Sequence, residues 1–187
     1  MVWERAVADI VFGIPLISQR VQRDWASVLR LLEATIGSAL AQQEVSVEVI
    51  VVCHETPDIS HRHDPRVSFV VAPFDIPRFR WEMEIDRMRK LEVIGTELRA
   101  RGGGLLFILD SDDYVSRDLG RMLLASPTKA TIVQSGYRLD ARNNRYQNLD
   151  KLWGKCGSCV GIKWTVDELP IVPLADDPPI YHEFCET

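Results

Sequence analysis

The chain is short of the features that mark specialised protein classes. Cysteine is scarce: Cys53, Cys156, Cys159 and Cys185 are the only four among 187 residues. That is too few for the disulfide frame of a small secreted domain, so a reducing, cytoplasmic setting is expected. No apolar run approaches the roughly 20 residues that a membrane-spanning helix needs. The N-terminal stretch over 7–17 is broken by Asp9 and Pro15, and it is equally unconvincing as a secretory signal; no transmembrane segment is expected. Positive charge is not in excess. Lys and Arg number 22 against 27 Asp and Glu, a net charge of -5, which argues against a general nucleic-acid binder while leaving room for a small anionic ligand. Internal repeats and low-complexity tracts are also missing. What remains is an ordinary globular composition, 46% hydrophobic and 26% charged, enough for a domain with a sizeable core.

Strand and helix signals alternate along the chain. A short buried strand is expected over 9–16, stopped by Pro15, and a helix over 24–43 with Val28, Leu32, Ile36 and Leu40 as its inner stripe and Asp24 as its N-cap. The Val- and Ile-rich segment 45–53 reads as a second strand, followed by the polar loop His54-Glu55-Thr56-Pro57-Asp58, and 67–72 as a third. Helical spacing returns over 81–101, with Ile85, Met88, Leu91, Gly95 and Leu98 on one face, until Gly102-Gly103-Gly104 stops it. Further on, Ser116 is expected to cap a short helix to about 125, and 131–139 reads as another strand. After Leu169 four prolines predict an irregular tail.

The chemistry is concentrated at one point. Leu105-Leu106-Phe107-Ile108-Leu109 is apolar on both faces, as in a central parallel strand, and runs directly into Asp110-Ser111-Asp112-Asp113. Three carboxylates within four residues raise one another's pKa unless a hard cation or positive side chains neutralise them. Ligands bind at the carboxyl ends of such strands, so the cluster implies a charged partner there.

This order of elements, closing on Leu-Phe-Ile-Leu-Asp-Ser-Asp-Asp, resembles the nucleotide-sugar-binding part of GT-A-fold glycosyltransferases, especially family 2, over roughly 9–164. The most specific piece is the Asp-x-Asp signature at Asp110 and Asp112, and Pro15 falls where these enzymes carry proline after their first strand. The resemblance implies an α/β GT-A fold: a central, mostly parallel sheet with helices on both faces, in a single domain over 1–187. Residues 9–113 would bind the donor, and 114–187 would form the acceptor side and tail. It further implies an enzyme that moves a sugar from a nucleoside-diphosphate sugar to a carbohydrate or other hydroxyl acceptor, with inversion, using Mn²⁺ or Mg²⁺.

Site roles follow from the resemblance residue by residue. Asp110, Asp112 and Asp113 would hold the metal, with His182 in the tail completing its coordination. Pro15, Asp110 and Ser111 would touch the donor, and Glu55 and Asp58 would read the base with His54 as a stacking partner. Lys90 would supply a cation near the phosphates, with Asp86 orienting it. Asp177, Asp176 or Glu183 would be the catalytic base, and Lys155 to Gly161 would face the acceptor.

Two other readings stay open on the residues alone. Asp110-x-Asp112 after a hydrophobic strand fits the nucleophile motif of haloacid-dehalogenase-like phosphohydrolases, with Asp110 phosphorylated. Cys156, Cys159, His182 and Cys185 have the types and inner spacings of a tetrahedral zinc clip in a non-catalytic module. The glycines 102–104 precede their strand and so cradle no phosphate. His61-Arg62-His63-Asp64 reads as a surface loop.

Overall fold

The computed structural model describes residues 8–79, 81–140, 143 and 145–171. Four parallel strands form the centre: β1 (Ile10–Pro15), β2 (Val47–Cys53), β3 (Val67–Val71) and β4 (Gly104–Ile108). Two antiparallel additions, β5 (Ala130–Ile132) and β8 (Val160–Trp164), extend the sheet beyond β4 to give the order β3-β2-β1-β4-β8-β5. Helix α1 (Trp25–Leu40) and the shorter α3 (Leu119–Ala125) cover one face, and α2 (Glu82–Ala100) covers the other. This is the α/β class expected, a mostly parallel six-stranded sheet between helices.

Alternation along the strands produces the two layers. Ile10, Phe12 and Ile14 of β1, Val49 and Val51 of β2, and Leu105 and Phe107 of β4 pack under Leu32, Ile36 and Ala39 of α1. The intervening Val11, Ile50, Val52 and Leu106 meet Val93, Ile94 and Leu98 of α2. Gly13 is the point of closest approach: a Cβ there would lie 2.7 Å from Ile94 Cγ2, so only glycine lets α2 settle onto β1. At the far end of α2, Gly102, Gly103 and Gly104 all take positive φ (96°, 82° and 126°), which stops the helix as expected.

Several expectations are corrected. The buried residues of α2 are Asp86, Lys90, Glu92, Val93, Ile94, Gly95 and Leu98, so the expected stripe holds at Gly95 and Leu98, with Leu91 packed at its side, and fails at Ile85, which is 39% exposed. Its first half was misplaced because Asp86 and Lys90 are charges that neutralise one another and therefore do not read as apolar. Residues 131–139 are two strands, β5 and β6 (Ser135–Asp140), separated at Val133 and Gln134 and belonging to different sheets. β6 pairs with β7 (Arg145–Asp150) in an exposed hairpin whose polar sequence carries little strand signal. β8 begins at Val160, at the end of the segment Lys155 to Gly161 expected to face the acceptor, and 155–159 is irregular backbone leading into it. Finally, α3 begins at Leu119, and Ser116 precedes it without capping it.

Among the described residues no helix is long and apolar enough to cross a membrane. The tail beyond residue 171 lies outside the described residues.

Candidate functional site

Strands were added on one side of β1 up to β3, and the chain then crosses to place β4 on the other side. The crevice at the carboxyl ends of β1 and β4 is therefore the sheet's switch point, where the two crossovers leave in opposite directions and uncover a hollow. A cleft of about 630 Å³ opens there. Its floor is Pro15 and Leu16 from β1 and Asp110, Ser111 and Asp112 from β4. Its walls are Asp24, Ser27 and Val28 at the start of α1, and Met83, Asp86, Arg87 and Lys90 from α2. Asp24 is the N-cap expected, its Oδ1 accepting from the Ser27 N–H at 3.1 Å.

The acidic turn is held from three sides. The Asp110 N–H donates to Ser158 Oγ at 2.7 Å, and Asp110 Oδ1 accepts from Arg87 Nη2 at 3.2 Å. Thr35, fully buried on α1, donates its hydroxyl to the Ser111 carbonyl at 3.1 Å. Asp113 turns away from the cleft, and its Oδ2 accepts from Cys156 Sγ at 3.0 Å. Burial and the neighbouring Asp113 carboxylate push the Cys156 thiol up to about 11. Asp112 is exposed as a residue and lines the cleft. Loss of solvent there, then the charges of Asp113 and Asp110, hold its carboxyl above the usual carboxylate range.

Behind the cleft wall lies a buried charge relay. Asp86 Oδ2 accepts from Lys90 Nζ at 2.5 Å, its Oδ1 is 2.5 Å from His54 Nε2, and Lys90 donates again to the Leu16 carbonyl at 2.8 Å. The three side chains are 9%, 1% and 3% exposed for Asp86, Lys90 and His54. Burial lowers the Lys90 pKa, and its contact with Asp86 opposes the shift. The His54 ring meets Phe74 edge to face at 5.5 Å. A second hollow of about 560 Å³, lined by His54, Phe74, Asp75 and Arg20, adjoins the cleft through Pro77.

Of the residues expected at the site, Pro15, Asp86, Lys90, Asp110, Ser111 and Asp112 line one cleft. Glu55 instead ties down the loop after β1, accepting from Ser18 Oγ at 2.9 Å and the Gln19 N–H at 3.2 Å. Asp58 is exposed and stands apart from the cleft lining. Asp176, Asp177, His182, Glu183 and Cys185 lie outside the described residues. Cys156 and Cys159 are free thiols here. Among the described residues no three His, Cys, Asp or Glu side chains are grouped so as to hold a metal ion by themselves.

Sequence reasoning gave Arg87 no role at the site, and it placed Gly157 and Ser158 on the acceptor side without their contacts to Asp110 and Arg87. The signal for Arg87 was present: Asp86 and Lys90, at i and i+4, neutralise each other, which leaves Arg87 as the cation offered to the cleft.

No family model and no curated protein matches this chain. One solved structure that it resembles is a mannosyltransferase from Pyrobaculum calidifontis in complex with GDP-Man and Mn2+, with TM-score 0.47 and 15% identity over 86% of this chain and 46% of that one. The chain thus spans under half of that enzyme's length.

Proposed function

We propose that the cleft binds a nucleoside-diphosphate sugar together with Mn²⁺ or Mg²⁺, and that the protein transfers the sugar to an acceptor hydroxyl. The observation that carries this reading is the placement of Asp110 and Asp112 at the carboxyl end of β4, at the switch point, facing a cleft large enough for a sugar diphosphate. The donor set fits a hard cation: it is oxygen only, and Asp112 has no ion pair among the described residues. Mg²⁺ in particular is commonly held by one or two carboxylates, with substrate phosphates and water supplying the rest. Asp110 and Asp112 would hold such an ion, and bound there it would neutralise the charge that grows on the departing diphosphate.

The chain's own residues do the remainder. Pro15 and Leu16 shape the floor under the diphosphate, and Arg87 brings a guanidinium to the same end of the cleft. The relay of His54, Asp86 and Lys90 fixes the wall: a lysine bonded to both Asp86 and the Leu16 carbonyl locks α2 to the end of β1. The base fits the adjoining hollow, where Phe74 offers a ring and Asp75 a carboxylate, with His54 buried beneath them on Asp86. The acceptor enters over Gly157 and Ser158. Asp177, Asp176 and Glu183 remain the candidates for the base that takes the hydroxyl proton in an inverting transfer. Asp110 follows β4, the fourth strand of the chain, and is engaged by Arg87 of α2, so nothing in its setting favours the phosphohydrolase reading over this one.

A thermal-shift panel of UDP-, GDP-, CMP- and dTDP-sugars, each with and without Mn²⁺, tests the proposal. Ligand at 100 times its Kd stabilises the native state by about 2.7 kcal/mol. At least one donor is expected to raise the melting temperature only when Mn²⁺ is present. No shift with any donor would remove the proposal.

A further inference from the structure

The two cations of the cleft wall are not equivalent. Lys90 is 1% exposed, and its ammonium is committed to Asp86 and the Leu16 carbonyl. Arg87, three residues earlier on α2, keeps 31% of its side chain exposed and rests Nη2 on Asp110 Oδ1 at 3.2 Å. The pair is backed by Gly157 so closely that a Cβ there would stand 2.7 Å from Asp110 Oδ2 and 2.8 Å from Arg87 Nη2. One of the two carboxylates placed for a metal is thus occupied by a guanidinium, while Asp112 beside it carries none among the described residues.

We infer that Arg87 is a resident counter-ion of Asp110 that is exchanged on loading: it neutralises the carboxylate in the empty cleft and passes to the donor's diphosphate when a divalent ion takes its place. This rests on the donor-binding function proposed above and adds the order in which charge moves. A guanidinium and a dication on one carboxylate repel each other, so the ion displaces Arg87 or binds weakly. The released fork finds a better partner in a diphosphate, whose oxygens match its parallel N–H groups. Only the long side chain has to swing, since its Cα is fixed in α2. Metal and nucleotide are then coupled: each removes part of the cost of binding the other, and by linkage the enhancement is the same in both directions.

Mn²⁺ binding is to be measured by electron paramagnetic resonance, with and without saturating UDP or GDP, in the wild type and in Arg87→Met and Arg87→Lys. The wild type is expected to bind Mn²⁺ weakly alone and at least roughly fivefold more tightly with nucleotide. Arg87→Met, freeing Asp110, is expected to bind Mn²⁺ alone at least roughly fivefold more tightly than the wild type and to lose the share of the nucleotide enhancement that comes from releasing Arg87, keeping only the share supplied by phosphate ligation of the ion. Arg87→Lys, which keeps the charge, should fall between the two in both respects, a graded result that a purely structural role for Arg87 does not give.

Unchanged or weaker Mn²⁺ affinity in Arg87→Met, or full enhancement by nucleotide in that variant, would overturn the exchange while leaving donor binding intact. A wild type that binds neither Mn²⁺ nor nucleotide would overturn both.

Discussion

Replacing Lys90 with methionine removes one charge from the relay behind the cleft and almost no volume. The ammonium donates to Asp86 at 2.5 Å and to the Leu16 carbonyl at 2.8 Å, with 1% of the side chain exposed. Removing one partner of a buried ion pair typically costs about 3–5 kcal/mol, because the other charge is left in a poor solvent. Here His54 stays 2.5 Å from the second oxygen of Asp86 and keeps part of the compensation. Against that, the Leu16 carbonyl loses its side-chain donor, worth about 1 kcal/mol or more. The loss expected is therefore about 3 kcal/mol. With a urea slope of roughly 2 kcal/mol/M for a domain of this size, the midpoint falls by about 1.5 M. Asp86→Asn on the Lys90→Met background removes the stranded charge, so the double variant is expected to recover at least about 1 kcal/mol relative to the sum of the singles. A Lys90→Met loss under about 0.5 kcal/mol, or strictly additive singles, would refute the relay as a structural lock.

Two further perturbations test the frame around the site. Gly13→Ala forces a methyl to 2.7 Å from Ile94 Cγ2 and should cost about 1–3 kcal/mol in urea melts; no measurable loss would mean that α2 is not seated on β1 as described. Asp64 accepts from the Arg66 side chain and N–H, which hold its carboxyl at about 2. Its folded value is depressed, so its contribution is whole above the unfolded value near 3.9 and is lost as pH falls through about 2. Half of Arg66 is exposed, which limits the pair to about 1 kcal/mol or less. The stability gap between wild type and Asp64→Asn should accordingly be constant from pH 7 to 5 and close between pH 4 and 2; a gap that widens on acidification would contradict the assignment.

The fold was legible where hydrophobic periodicity and burial coincide. β1, β2 and β4 announce themselves as nearly unbroken apolar runs because both faces of a central strand are covered, β3 at the edge is legible from its valines, and α1 from the apolar spacing of Val28, Leu32, Ile36 and Leu40. Legibility failed where burial is achieved by pairing charges. Asp86 and Lys90 look like a solvated helix face in sequence and are core residues in space, which displaced the first half of the inner face of α2. It failed again after Ala125: β5 and β8 sit at the sheet's end, and the strands of the exposed hairpin carry residues such as Arg138, Arg145 and Asp150 that no apolar pattern marks. At the site, the Asp110 cluster stood out because acidic residues seldom follow a buried strand without a purpose. The loop roles of Glu55 and Asp58 did not follow from spacing, since whether a loop carboxylate faces the cleft or staples a neighbouring turn depends on backbone direction. Arg87 was hidden by its neighbours, one of several basic residues on a single helix until the structure shows which of them is already neutralised.

The account depends most directly on Asp112 as a metal-binding carboxylate. Calorimetric titration of the nucleotide-sugar found in the thermal panel, with and without Mn²⁺, into the wild type and Asp112→Asn measures this. The expected result is metal-dependent binding in the wild type and its loss in the variant, with both proteins melting at the same temperature in the absence of ligand. Equal, metal-dependent affinity in the two would contradict the central claim.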